Sequence, residues 1–92
     1  MKVAILMGSP RDDEKMAGAS EMLTRFGVEH EVHVMSAHRT PEEVAEFASN
    51  ARSNGFGVII CGAGMAAHLA GVVSAHTTIP VIGVPLSGGI SE

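Results

Sequence analysis

The chain has 92 residues, six basic against ten acidic, with a formal net charge of −4. One small domain spanning residues 1–92 follows, with a core modest enough that self-association is expected. The acidic balance and the lack of a basic stripe interleaved with aromatics exclude a nucleic-acid surface, and no apolar run reaches the roughly 20 residues that span a bilayer.

Lys2 to Met7 is a continuous apolar run ended by Gly8-Ser9-Pro10, the pattern of a strand buried on both faces and followed by a turn. Behind the acids Asp12, Asp13 and Glu14, the residues Met16, Ala19, Leu23 and Phe26 recur at helical spacing, and Gly27 supplies the left-handed end. Val28 to Met35 alternates polar and apolar residues, as a strand nearer the sheet edge does. Ser36-Ala37-His38-Arg39 interrupts it. Thr40-Pro41-Glu42-Glu43 then predicts a helix start, with Thr40 as N-cap, Pro41 in the first turn and Glu43 completing a capping box. Val44, Phe47, Ala48 and Ala51 form its apolar stripe, and Asn54-Gly55 ends it. Gly57 to Cys61 reads as a third strand, Gly62-Ala63-Gly64 as a turn, Met65 to His76 as a third helix and Ile79 to Val84 as a fourth strand.

Strands alternating with single helices predict an α/β fold, a three-layer, doubly wound parallel sheet of flavodoxin-like type. In such a sheet the loops after the strands gather at one edge, and ligands bind there near the point where strand order reverses. The expected site therefore draws on Gly8 to Asp12, Ser36 to Arg39, Gly62 to Gly64 and the residues after Val84.

His38 and Arg39 are the sharpest local feature, because a titratable imidazole beside a guanidinium in a loop serves chemistry better than packing. Ser9 and Asp12 have two readings. They are a phosphate-binding hydroxyl and a ribose-binding carboxylate, or a turn residue and an N-cap. Gly62-Ala63-Gly64-Met65-Ala66-Ala67 matches the G-x-G-x-x-G/A dinucleotide fingerprint. The acid expected about 20 residues later is missing from Ile82 to Leu86. What the run does offer is close backbone approach and exposed amides for an anion. A response-regulator reading fails because the first strand ends in Met7-Gly8 and not in an acid. His68 carries little weight alone, His30 and His33 are expected to face solvent, and His76 suits a helix C-terminus. No two of these histidines, with Cys61, have a recognised ligand spacing, so no metal is assigned. The lone Cys61 reads as a buried strand residue, excludes an intramolecular disulfide and, with no signal-peptide pattern at the N-terminus, predicts a cytoplasmic protein.

Three runs together resemble the 5-(carboxyamino)imidazole ribonucleotide mutase family, also called the catalytic subunit of phosphoribosylaminoimidazole carboxylase. They are Met7-Gly8-Ser9 with Asp12, Ser36-Ala37-His38-Arg39-Thr40-Pro41, and Gly62-Ala63-Gly64-x-Ala66-Ala67-His68-Leu69, with Pro80 to Pro85 extending the match. The resemblance implies an isomerase of purine biosynthesis that moves a carboxylate from the exocyclic nitrogen of an imidazole ribonucleotide to ring carbon 4 through carbon dioxide, without cofactor or metal. It implies His38 as acid and base, and Ser9 with the Gly62, Ala63 and Gly64 backbone beside the migrating carboxyl. It further implies Ser36 and Arg39 on the 5′-phosphate, Asp12 on the ribose, and His68 and Leu69 lining the pocket. A related branch carboxylates aminoimidazole ribonucleotide directly and lacks the Ala66-Ala67-His68-Leu69 run, which favours the mutase. Family members are similar to one another in forming octamers whose sites borrow residues from neighbours.

The chain departs from the family at Arg11, usually serine, at Met65, usually glycine, and at Ala70, usually proline. Family members also continue past Gly88-Gly89-Ile90-Ser91-Glu92 into another strand and further helices, so the chain reads as the N-terminal part of the family's catalytic domain. The competing readings are a non-catalytic flavodoxin-like nucleotide-binding module and a purely structural assembly domain.

Overall fold

The computed structural model describes residues 1–64 and 68–86. Its strands are β1 (Lys2–Met7), β2 (His30–Val34), β3 (Phe56–Ala63) and β4 (Val81–Pro85); its α-helices are α1 (Asp13–Arg25), α2 (Pro41–Asn50) and α3 (His68–His76), and a single 3₁₀ turn, Pro10–Asp12, leads into α1. The sheet is parallel throughout, in the order β2-β1-β3-β4. This is a flavodoxin-like arrangement, with strand order reversing between β1 and β3.

β1 lies inside the sheet with helices on both faces, which is why its sequence shows no alternation. Ala4 and Leu6 pack with Ile59 and Cys61 of β3 beneath α2 and α3, where Val44, Ala48, Leu69 and Val73 close the layer. Ile5 and Met7 face the other way, onto Met16 of α1 with Ala19 and Leu23 beside it.

The end of α1 follows its glycine; α2 stops at Asn50, short of Gly55, where its end was expected. Gly27 has φ +71, and the bonds Gly27 N to Thr24 O (3.1 Å) and Val28 N to Leu23 O (2.8 Å) close a Schellman motif. Phe26, expected on the buried stripe, stands at the C-cap, where the chain leaves the helix, and is 73% exposed. Beyond α2 one more turn closes the same way. Gly55 has φ +92, with Gly55 N on Arg52 O and Phe56 N on Ala51 O.

Edge strand β2 is tied down by side chains. Lys2 Nζ donates to Glu31 Oε2 at 2.9 Å and lies 4.5 Å from the Phe56 ring centre. Glu31 Oε1 meets His33 Nε2 at 3.0 Å, and the rings of His33, Phe47 and Phe56 follow at 5.0 and 5.4 Å, closing a circle through β1, β2, α2 and β3. Lys2 first, and His33 second, hold the Glu31 carboxyl below its ordinary range. On the opposite face His30 bridges Ser20 Oγ (2.8 Å) and the Val28 carbonyl (3.0 Å). His30 and His33, expected to face solvent, are thus both half-buried and partnered, because helices flank even this edge strand.

Among the described residues no helix is long and apolar enough to cross a membrane.

Candidate active site at the carboxyl edge of the sheet

The reversal between β1 and β3 brings the loops after three neighbouring strands together, and backbone bonds fix them to one another. Met35 N donates to Met7 O at 2.9 Å, Gly8 N to Gly62 O at 3.4 Å and Leu86 N to Ala63 O at 3.1 Å.

The loop after β2 is braced from within. The Ser36 hydroxyl accepts from the amides of His38 (3.2 Å) and Arg39 (3.1 Å). Thr40 Oγ1 accepts from Ser36 N at 2.9 Å and donates to Ser36 O at 3.1 Å, and Thr40 N gives that carbonyl a second bond. This corrects the capping box. Thr40 makes no side-chain cap bond to α2, because its hydroxyl is already spent on Ser36. Ser36, expected on the phosphate, keeps one O–H to donate while its oxygen organises the loop. The structural part of Thr40 was missed by sequence reading; its signal was the Ser/Thr pair at i and i+4, a spacing at which hydroxyls close on local backbone.

The brace leaves His38 and Arg39 exposed at the loop tip. His38 stacks on His68 at the start of α3, with ring centres 5.4 Å apart and planes 15° from parallel. The stack sets the two imidazoles face to face, so that His68 backs the ring of His38 and fixes its plane. Arg39 has no carboxylate in ion-pair reach among the described residues. Its guanidinium is therefore available to an anion.

After β1, Ser9 caps the 3₁₀ turn and accepts from the Arg11 amide at 3.2 Å. Asp12 is half-buried at the start of α1, with no side-chain cap bond there. The N-cap reading of Asp12 thus lacks the bond that would define it.

Two expectations change after β3. Gly62 and Ala63 are strand residues, not a turn: Gly62 pairs with Met7 on one side and Val84 on the other, and Ala63 with Pro85. Sequence alone hides this because β4 extends the ladder from across the chain. A side chain at Gly62 would strike Met16, so this glycine lets α1 seat on the sheet. Only Gly64 bends away at the strand's end. Leu69, expected at the ligand, is 2% exposed and packed in the core under α3. Its helix position points to the sheet. Met65 and the Ala66-Ala67 pair lie outside the described residues, as does the expected start of α3. Ala70 faces Gly83 of β4 so closely that a Cβ there would lie 3.1 Å from its own, which identifies a small–small contact between helix and strand.

Cys61 is fully buried, and burial pushes its thiol up to about 12. It is no nucleophile at neutral pH. A cleft of about 790 Å³ opens at the opposite end of the sheet, near Arg52, Ser53, His76 and Thr78. There Arg52 Nη1 donates to Thr78 Oγ1 at 3.2 Å.

The sequence matches the AIR carboxylase family model over residues 2–91. The chain belongs to the AIR carboxylase family. It is 58% identical over 86 residues to the N5-carboxyaminoimidazole ribonucleotide mutase of Vibrio vulnificus, covering 94% of this chain and 53% of that protein. The mutase so named in Aquifex aeolicus is 56% identical, covering 91% and 50%; that of Saccharolobus solfataricus is 53% identical, covering 92% and 54%. The chain thus spans about half the length of the curated relatives it matches. Within this member of the family, the loops after β1 and β2 and the first residue of α3 bring polar side chains to the carboxyl edge.

Proposed function

We propose that this chain carries part of the site of an N5-carboxyaminoimidazole ribonucleotide mutase, an isomerase of purine biosynthesis. The reaction breaks the bond between the exocyclic nitrogen and the carboxyl carbon, releasing carbon dioxide inside the pocket as the nitrogen gains a proton. Ring carbon 4 then attacks the trapped gas and loses its own proton. His38 gives the first proton and takes the second, with His68 stacked behind it. Arg39 and the free O–H of Ser36 hold the 5′-phosphate, and Asp12 accepts from the ribose hydroxyls. Ser9 and the backbone at Gly64 border the migrating carboxyl, and sealing the pocket keeps the gas from escaping.

The observation that supports this reading is the His38–His68 stack at the sheet's reversal point, in a chain whose relatives bear the mutase name. Residues 1–92 serve in it as the N-terminal part of a catalytic domain, in a cytoplasmic homo-oligomer, an octamer by resemblance. The test is to supply the carbamate substrate and follow the ring-carboxylated product, using both this chain and a version extended to its relatives' length. His38→Asn is expected to lower turnover by about 100-fold or more. An extended protein without activity, or a fully active His38→Asn variant, sinks the assignment.

A further inference from the structure

The cleft at the amino edge of the sheet, about 790 Å³, has no part in the reaction proposed at the carboxyl edge. Its volume is that of a small-molecule site. Ser49, Arg52 and Ser53 form one wall, at the end of α2 and the turn after it; His76, Thr77 and Thr78 form the other, where α3 runs out toward β4. Among the described residues no acid lines it, although the chain carries ten acids and a formal charge of −4.

What lines it instead is a set of uncommitted donors. Arg52 reaches from one wall to the other, giving Nη1 to Thr78 Oγ1 at 3.2 Å. That bond holds the guanidinium across the cleft, while Nε and Nη2 have no acceptor and the residue no ion pair among the described residues. Ser49 and His76 have no hydrogen-bond partner there either. Thr78 Oγ1 accepts from Arg52 and Thr77 Oγ1 from Ile79 N at 3.4 Å, which leaves each of these hydroxyls its own O–H to donate. The carbonyls after α2, which would repel an anion, are already covered: Asn50 O takes Ser53 Oγ and Asn54 N, Ala51 O takes Phe56 N, and Arg52 O takes Gly55 N.

We infer that this cleft is an anion site for a phosphate group, free or carried as a monoester on a small molecule. It is separate from the phosphate contact proposed for Arg39 and stands whether or not that proposal holds. The free edge of the Arg52 fork supplies charge and paired N–H groups. From the facing wall come the hydroxyls of Thr77 and Thr78 and the His76 ring, which carries an N–H in either protonation state. Donors on two walls suit the tetrahedral oxygens of phosphate better than a carboxylate, whose two oxygens share one plane.

The test follows the ring protons of His76 by NMR, assigned by their loss in His76→Gln, in a chain that also carries Arg39→Gln so that the carboxyl edge contributes nothing. Inorganic phosphate, ribose 5-phosphate and ribose are titrated at fixed pH and ionic strength. Both phosphates are expected to move the His76 signals to saturation with a Kd on the order of millimolar, and ribose to leave them in place. Tighter binding of ribose 5-phosphate marks a monoester site; equal binding marks a site for free phosphate. Arg52→Gln is expected to weaken phosphate roughly tenfold, with Arg52→Lys in between because it keeps the charge and loses the fork. Far-UV circular dichroism checks that the variants fold. If Arg52→Gln does not, Thr78→Val replaces it, removing one donor and the anchor of the guanidinium, and weaker binding is expected again. His76 signals that phosphate does not move, or an affinity unchanged in the folded variant, overturn the inference.

Discussion

On the face of the sheet beneath α2 and α3, Leu6, Ile59, Val44 and Val73 are fully buried, with Ala4, Cys61 and Leu69 filling between them. On the face beneath α1, Ile5, Met7 and Met16 form the buried set, while Val32, Val34 and Ile82 stay 44%, 45% and 52% exposed. Register puts these three level with Ile5, Met7 and Ile60, so they flank the helix on both sides. One helix covers the middle of its face; two cover the other. Packing strength is therefore lopsided, and the site inherits the difference. The His38 loop begins at Met35, which is buried in the α2/α3 layer, whereas the Ser9–Arg11 loop runs into α1, on the thinner side.

The largest expected effect is on the thick face. Leu6→Ala deletes a side chain enclosed on every side, and urea unfolding should show a loss of about 3 kcal/mol. Met16→Ala on the thinner face should cost about 2 kcal/mol, since a cavity bordered by exposed flanks collapses more easily. If Met16→Ala proves the costlier of the two, the faces are not unequal in the way the burial indicates. Smallest of all is Glu31→Gln, which cuts the Lys2–Glu31–His33 tie on the edge strand without removing volume. Because the folded carboxyl titrates below its ordinary 4.5, its contribution is present above that range and is lost as pH falls through the lowered value. Stability of the unaltered chain should then drop on acidification below about 4.5 by an amount that Glu31→Gln lacks, and salt should shrink the gap. An unchanged acid slope in the variant would remove Glu31 from the account.

Sequence carried the elements well where local chemistry decides them. Gly27 marked the end of α1 because positive φ is a property of one residue, whereas Gly55 marked the turn after α2, which itself stops at Asn50; the apolar run of β1 announced its burial on both faces. It failed where a distant partner decides. Gly62 and Ala63 looked like a turn until β4 paired with them, Phe26 fitted the helical period but sat one step past its end, and Thr40 satisfied a cap motif while its hydroxyl was claimed by Ser36. In the site, His38 and Arg39 were legible as polar residues with no packing duty. His68 carried little weight from its own residue type and entered with the family resemblance, while its stacking on His38 is a product of the fold; Leu69 entered with the same resemblance, and its burial under α3 reflects a helix direction that sequence adjacency does not give.

The brace between Ser36 and Thr40 also bears on how a ligand is received. Ordering a residue's backbone costs roughly 1 to 2 kcal/mol in lost conformational freedom. In this loop that cost is met during folding, through bonds to the Ser36 hydroxyl and carbonyl. On the proposed function, a ligand arriving at His38 and Arg39 would meet a preorganised tip, with little of its binding energy diverted to freezing the loop.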